Sequence, residues 1–288
     1  MNKSYYSALA AAVLAAVLMG LLGFFVRQTE CSAQGCSFAR FAIGLVLMVP
    51  MLAMQCRKGQ GSFRFSASAA FSGAGISLCI LFYFIAITRI SVGIAALLLY
   101  TGPVFAAVGE ALWQRRLPAA REVLLMAGSL LGIVLVTLFA GGDWSGSLSG
   151  YIYGLLSGAC YAAYILANRQ IPAEISLSQR TFWQFAAGCL VLLPPLLLTA
   201  EPYAGIQEGW PYLLCIGILQ GFAVLLLVAY AVRRLSAIEF GTISYLEPAV
   251  AVLLGYLVYA EAITPGQWVG FALVLLSSAV QTLIPGKS

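Results

Sequence analysis

The segment Phe41–Pro50 (FAIGLVLMVP) recurs 144 residues later, with conservative changes, as Phe185–Pro194 (FAAGCLVLLP). Two further matches fall at an offset of 145, in the same order along the chain: Ala86–Ser91 (AITRIS) with Ala231–Ser236 (AVRRLS), and Tyr100–Pro103 (YTGP) with Tyr245–Pro248 (YLEP). Apolar sequences match by chance more easily than polar ones, but these three matches are collinear and include arginine and proline positions. They therefore predict that the chain is a duplicated unit.

The composition places both copies in a membrane. Of the 288 residues, 62% are hydrophobic and 9% are charged, and the mean hydropathy is +0.96, whereas soluble domains are about a quarter charged. Each crossing of a bilayer needs about 20 apolar residues. Apolar runs of that length cover residues 5–26, 37–55, 67–88, 91–113, 121–140, 150–168, 181–199, 210–232, 237–259 and 265–284. We expect an all-α integral membrane protein with ten transmembrane helices. The first run is too long for a secretory signal, so we expect a retained helix.

The two halves, residues 1–145 and 146–288, each hold five of the predicted helices. Because five is odd, the second half enters the membrane from the opposite side, which gives an inverted repeat. Basic residues test this arrangement, since Lys and Arg accumulate in cytoplasmic loops. Alternating helices put Arg27, Arg40 and Arg89 on one side, and the other side receives twelve of the 15 basic residues: Lys3, Arg57, Lys58, Arg64, Arg115, Arg116, Arg121, Arg169, Arg180, Arg233, Arg234 and Lys287. We therefore expect both termini in the cytoplasm and the protein in the inner membrane.

Several function classes are excluded by what the sequence lacks. The chain has no histidine and no GxxxxGK segment, so it cannot form a Ser-His hydrolase site, a zinc protease motif or a phosphate-binding loop. We predict no enzyme activity, no cofactor, no metal and a monomer. The basic residues are spread over short loops, which argues against nucleic acid as a partner. Cys31 and Cys36 share one loop, and the sequence leaves open whether they form a disulfide.

Ionisable residues inside the predicted helices cost roughly 2.5 to 3.5 kcal/mol each on insertion scales, so each needs an explanation. Glu247 is the deepest, near the middle of the ninth helix and directly before Pro248. A proline there frees a main-chain carbonyl one turn earlier, and an acid beside it can bind a cationic group or carry a proton. The alternative is that Glu247 only fixes helix packing. Arg40 either binds a substrate carboxylate or snorkels to the surface, and for Glu110 a structural or interfacial role is favoured.

Aromatic residues inside the apolar runs form a second group of candidates. Those that we single out as ligands of a solute are Tyr83, Tyr100, Tyr161, Trp183 and Tyr245. A hydroxyl within the membrane must find a partner, so we expect several of these side chains to line a wet cavity, where ring faces suit flat or cationic ligands. Core packing is the alternative for each. Tyr100 and Tyr245 are favoured because they stand at equivalent places before a proline in the two halves.

Taken together, these motifs resemble the drug/metabolite transporter superfamily, in its ten-helix EamA-type branch. The resemblance is carried by Arg40-Phe41, Ala86–Ser91, Tyr100–Pro103, Tyr245–Pro248, and Glu261 followed by Gln267 and Gly270. It implies a basket of helices 1 to 4 and 6 to 9 around a central cavity, with alternating access and often proton exchange. Members export amino acids and other metabolites or import particular nutrients. The chain departs from the pattern at Arg116, which stands where the first half would carry the counterpart of Glu261.

We therefore predict a secondary transporter that moves small organic solutes across the inner membrane. The leading hypothesis is export of amino acids or related metabolites, with Glu247 coupling flux to protons and Arg40 and the five aromatic residues binding substrate. An importer of a cationic or aromatic nutrient is the alternative within transport. A non-transporting channel or scaffold is the alternative outside it. The sequence does not determine the substrate, the direction or the coupling ion.

Overall fold

The computed structural model describes residues 3–57, 63–115, 117–139, 146–204, 206–259 and 263–283. Within these ranges every regular element is a helix, and ten spans are long and apolar enough to cross a membrane. This confirms the predicted all-α, ten-helix fold. We number the spans α1 to α10, with the bounds Ser4–Val26, Ala33–Gln55, Ala67–Ile87, Gly93–Gln114, Ala120–Phe139, Leu148–Arg169, Leu177–Leu197, Ile206–Val232, Ala237–Val258 and Pro265–Leu283.

Serine hydroxyl groups start half of the spans. The side chain of each of these serines accepts a hydrogen bond from the main-chain N–H three residues later, which satisfies one unpaired donor of the first turn. These serines precede α3, α4, α6, α7 and α9 and are Ser66, Ser91, Ser147, Ser176 and Ser236. Ser91 and Ser236 are equivalent in the sequence repeat, so α4 and α9 begin in the same way.

Eight spans form a closed ring in the order α1, α8, α2, α7, α3, α6, α4 and α9, after which α9 returns to α1. The remaining spans, α5 and α10, pack against each other beside α4 and α9. The order of the ring is unchanged when each helix is exchanged with the one five places along the chain. Both halves therefore line the interior of the ring equally, and a polar residue of either half can contribute to one site there.

One ring helix of the first half is interrupted. In α4, the helical segments Val92–Leu99 and Gly102–Gln114 are separated by Tyr100 and Thr101. Pro103 lies in the first turn after the interruption. Main-chain N–H groups in a first turn have no acceptor within the helix, so proline, which lacks this N–H, breaks no helical hydrogen bond there. The break that the sequence predicts beside Pro103 is present, and it exposes main-chain polar groups inside the ring.

The second half carries the matching interruption. In α9, the segments Ala237–Ser244 and Leu246–Tyr259 are separated by Tyr245, and Pro248 lies in the first turn of the second segment. Paired interruptions of this kind in membrane helices are tolerated where other parts of the protein satisfy the freed groups. The two breaks therefore mark the place in the ring where a site is best sought.

A third irregularity was not predicted from the sequence. Within α8, residues Ile216–Ala223 form a π-helix, whose wider turn is rare and is often found at functional sites. Gly221 lies in this segment, and a Cβ added there would be 2.3 Å from the carbonyl oxygen of Arg40. The main chain of the π-helical turn therefore packs directly against the main chain of α2 at Arg40.

Close contact between backbones also joins the halves at α3 and α7. A Cβ added to Gly73 would lie 2.3 Å from the carbonyl oxygen of Gln184 and 2.5 Å from its Cα. Main-chain atoms cannot rotate away as a side chain can, so α3 and α7 pack at this distance only because residue 73 is glycine.

We expect Gly73→Ala to lower the melting temperature of the purified protein, because α3 and α7 must separate and overpacking costs about 1 to 3 kcal/mol. Gly109→Ala is the matched control, since the atom nearest its added Cβ is a terminal methyl of Leu166 at 2.7 Å, which can turn aside. Thermal unfolding of both variants in the same detergent measures the difference. Equal melting temperatures would contradict the role given to Gly73.

Candidate functional site

The two helix breaks are joined by their tyrosines. The hydroxyl of Tyr245 donates a hydrogen bond of 2.9 Å to the main-chain carbonyl of Tyr100, and the ring centroids lie 5.9 Å apart. Both side chains are buried, with 3% of Tyr100 and none of Tyr245 exposed. The tyrosine of the second half therefore satisfies a main-chain group at the break of the first half, and it holds α4 and α9 together inside the ring.

The carboxyl group of Glu247 lies beside this pair. Glu247 is in the first turn of the helical segment that follows the α9 break, where the helix dipole favours a negative charge. The Tyr100 side chain lies close enough to the carboxyl group to interact with it. Tyr83 and Tyr161 also lie within the field of this carboxylate. Three tyrosines, one each from α3, α4 and α6, thus lie near one acid, and Tyr245 stands two residues before it in α9.

Arg40 is the cation whose charge acts on Glu247. The side chain is 7% exposed. Its Nε donates a hydrogen bond of 2.9 Å to the main-chain carbonyl of Gln220, in the π-helical turn of α8. This bond fixes the Nε side of the guanidinium against the π-helical turn. Arg40 does not snorkel to the surface, which was one of its two predicted roles.

Gln220 was not predicted from the sequence, and its main-chain carbonyl accepts the hydrogen bond that holds the Arg40 side chain. The residue is fully buried, and its side-chain nitrogen donates to the main-chain carbonyl of Leu18 in α1. Its side-chain oxygen has no hydrogen-bond partner among the described residues. An unpaired acceptor beside a buried cation is unusual in native proteins. The π-helical turn, which no apolar pattern reveals, is the feature that brings Gln220 to this place.

Six of the predicted residues therefore come together, and we call them the central cluster: Arg40, Tyr83, Tyr100, Tyr161, Tyr245 and Glu247. Trp183 does not join them. Its indole nitrogen donates to the main-chain carbonyl of Arg64 at 2.9 Å, and its ring stacks on Phe63 at 5.3 Å and meets Phe65 edge-on at 4.9 Å. Because α7 begins at Leu177, earlier than the predicted residue 181, Trp183 lies nearer a helix end, where tryptophan is common in membrane proteins.

A second polar group inside the ring was also missed. The side-chain nitrogen of Gln184 donates to Ser72 Oγ and to Asn168 Oδ1, both at 2.8 Å, and all three residues are fully buried. Gln184 is the counterpart of Arg40 at the offset of 144 residues. The repeat alignment therefore contained the signal, since equivalent positions at α2 and α7 both carry a polar side chain that points between ring helices.

Glu110 connects three ring helices at one end of the ring. Its carboxylate forms a 2.6 Å salt bridge with Arg169 at the end of α6 and accepts a 2.6 Å hydrogen bond from the Ala237 N–H at the start of α9. Arg169 in turn donates to the main-chain carbonyl of Leu235. The structural role favoured for Glu110 fits these contacts, in which its charged partner is Arg169. Arg116 and Glu261 lie outside the described residues.

Cys31 and Cys36 are both buried, and no disulfide joins them in this structure. Cys36 Sγ lies 3.4 Å from the Thr29 hydroxyl and 3.9 Å from the main-chain carbonyl of Cys31. These contacts link Cys36, in the first turn of α2, to the segment before that helix.

We expect that charge reversal will not repair the link at Glu110. Glu110→Arg and Arg169→Glu should each lower the melting temperature, since each removes the salt bridge and one main-chain hydrogen bond of this half-buried pair, and a hydrogen bond to a charged group contributes about 1.5 to 3 kcal/mol. The double reversal should stay destabilised, because an arginine at position 110 cannot accept from the Ala237 N–H and a glutamate at position 169 cannot donate to the Leu235 carbonyl. Arg89→Gln, which changes an exposed arginine, is the control. Full recovery of stability in the double variant would refute the contribution of the main-chain bonds.

Comparison with known proteins identifies a family whose model matches this chain. Residues 6–138 and 148–283 each match the EamA-like transporter family. An uncharacterized transporter from Archaeoglobus fulgidus is 27% identical over 92% of this chain and 93% of its own length. The threonine/homoserine exporter RhtA of Escherichia coli K12 is 29% identical over 71% of this chain and 67% of its own length. A solved structure titled "Crystal structure of protein" has a TM-score of 0.81 and 20% identity over 96% of this chain and 98% of that chain, which supports the fold alone.

Proposed function

The chain belongs to the EamA-like transporter family, and on that basis we propose that this multi-pass membrane transporter exports amino acids or related small metabolites by alternating access, in exchange for protons. The relatives named as threonine/homoserine exporters support amino acids as the substrate class. The observation that carries the proposal is the central cluster, in which a guanidinium and a carboxylate from different halves of the chain lie near enough to interact inside the ring of helices.

The chemistry of the cluster suits a zwitterion. The terminal nitrogens of Arg40 are planar donors that match a carboxylate, and Glu247 can accept hydrogen bonds from an ammonium group. An amino acid between them replaces the mutual attraction of Arg40 and Glu247 with two closer pairs of opposite charge. The rings of Tyr83, Tyr100 and Tyr161 border this place and supply faces for the apolar part of the solute.

Proton coupling follows from the use of one carboxylate for two ligands. In a membrane interior a carboxylate is costly unless it is protonated or paired with a cation. If Glu247 binds either a proton or the substrate ammonium, each state of the transporter carries one positive ligand at this carboxylate. A proton entering from one side then replaces a substrate leaving on that side, which is exchange.

The two halves, residues 1–145 and 146–288, are proposed to be inverted repeats, with both termini in the cytoplasm of a cell whose inner membrane holds the protein. Support comes from the two separate family matches and from the ring order, which survives exchange of the halves. Alternating access then amounts to rocking of the two halves about the central cluster. The Glu110 link lies at the end of the ring where α4 and α6 end, which this topology places at the cytoplasmic side.

Other functions make different predictions for the same preparation. An importer of a cationic or aromatic nutrient would show the opposite net direction of driven flux. A channel would conduct the solute without accelerating exchange of labelled for unlabelled solute, and a scaffold would show no flux. Counterflow in proteoliposomes, with L-threonine as the first solute, separates these classes because only an alternating-access carrier couples influx to efflux.

We expect Glu247→Gln to abolish proton-driven uptake into inside-out proteoliposomes while the protein remains folded. Glutamine keeps the shape of the side chain but cannot carry the proton, so transport should also lose its dependence on pH. The measurement is labelled L-threonine flux with and without an imposed proton gradient.

Glu208→Gln is the matched control, since Glu208 is an exposed carboxylate near the start of α8 and the same charge is removed. This variant should transport as the unchanged protein does. Gradient-driven flux that persists in Glu247→Gln, with an unaltered pH profile, would rule out the coupling role of Glu247.

A further inference from the structure

Arg180, in the first turn of α7, is enclosed without a counter-charge. Its side chain is 1% exposed. Nη1 and Nη2 reach the main-chain carbonyls of Ala229 and Ile171, each at 3.4 Å, and Nε has no partner. No carboxylate among the described residues forms a salt bridge with Arg180. Two further cations, Arg233 and Arg234, act on it. A buried guanidinium in such surroundings calls for an anion.

Other unpaired polar atoms lie around Arg180. Gln184 follows one turn later on the same face of α7, and its Oε1 has no partner. The hydroxyl of Tyr164 approaches Asn168 but makes no hydrogen bond of adequate geometry. Native proteins leave few buried polar atoms unpaired, and here three occur in one region. Together they offer a cation and a hydroxyl donor for a carboxylate, and an amide acceptor for an ammonium or hydroxyl group.

The position of Arg180 relates it to the central cluster. The Tyr164 side chain lies within the field of both Arg180 and Arg40, and its ring stacks on that of Tyr161 with centroids 6.3 Å apart. Arg180 itself lies where α6 ends, α7 begins and α8 ends, which is the same end of the ring as the Glu110 link. Tyr164 thus lies near both arginines.

We propose that Arg180, Tyr164 and Gln184 form a second binding station for the carboxylate group of the solute, nearer the Glu110 end of the ring than Arg40. The proposal rests on the proposed function for the order in which the stations are used, but carboxylate binding at Arg180 stands independently of it. The ligand class is a small monocarboxylate that also carries a hydrogen-bond donor, as an amino acid does. The two arginines would then pass one carboxylate along the interior of the ring.

The experiment compares ligand-induced thermal stabilisation of the purified full-length protein by L-threonine and by L-threoninol, which has a hydroxymethyl group where the carboxylate stands. A ligand that binds the folded state raises the melting temperature by mass action. We expect Arg180→Met to weaken the apparent affinity for L-threonine about tenfold or more, the usual effect of losing a charged hydrogen-bond partner. Stabilisation by L-threoninol should be unaltered in that variant. Arg180→Lys, which keeps the charge, should recover part of the affinity for L-threonine.

Arg57→Gln is the matched control, because it removes an exposed positive charge at the end of α2, beside the start of α7, that does not act on Arg180, and it should leave both affinities unaltered. The ligand-free Arg180→Met protein should melt no lower than the unchanged protein, since a neutral side chain relieves an unpaired buried charge. A large loss of ligand-free stability would instead assign Arg180 to holding α6, α7 and α8 together and would overturn the proposal.

The outcomes for this station and for transport are distinct. Carboxylate-dependent stabilisation that is lost in Arg180→Met, together with an absence of counterflow, would uphold the station and refute transport. Counterflow that is unchanged in Arg180→Met would refute the station and leave transport intact. If neither L-threonine nor acetate stabilises the unchanged protein, the station does not bind carboxylates.

Discussion

A hydrogen bond from the Tyr245 hydroxyl to the Tyr100 carbonyl joins the two interrupted helices of the ring, and much of the site depends on it. Main-chain groups freed inside a membrane must be satisfied by the protein itself. Here each half of the chain contributes a break, and the tyrosine of one break satisfies a carbonyl of the other. The geometry that follows puts Glu247 at the start of a helical segment, with the Tyr100 side chain near its carboxyl group.

Duplication explains both the symmetry of this arrangement and its loss. The ring order is preserved when the halves are exchanged, so each polar position of α2 has a counterpart in α7. The side chains at these positions have diverged: Arg40 bonds a π-helical carbonyl of α8, whereas Gln184 bonds Ser72 and Asn168. Glu247 likewise corresponds to Gly102. A symmetric scaffold thus holds an asymmetric set of charges, in which the acid Glu247 has Arg40 as its neighbouring cation.

The contacts of the Glu110 link differ in kind from those of the groups proposed to bind solute. Glu110 and Arg169 are engaged with each other and with main-chain groups of the turn before α9, so this pair calls for no further ligand. Arg180, Gln184 and Gln220 each retain a buried polar atom without a hydrogen-bond partner among the described residues. A transporter requires both kinds of contact, because the bonds that close one end of the ring and the groups that bind solute must belong to different residues. The structure assigns the two kinds to different residues.

The amino-acid sequence by itself determined the number of spans, the duplication, the paired breaks at Tyr100 and Tyr245 and the exceptional depth of Glu247. These features are local, because apolar length, proline position and repeated motifs are properties of consecutive residues. Only the tertiary structure decided which helices are neighbours in the ring, that Trp183 packs on Phe63 and Phe65, and that α8 adopts a π-helical turn beneath Arg40. Arg180 shows the reason most clearly: the charge count treats it as one more basic residue at a helix end, and only the packing of α6, α7 and α8 turns its side chain inward and encloses it.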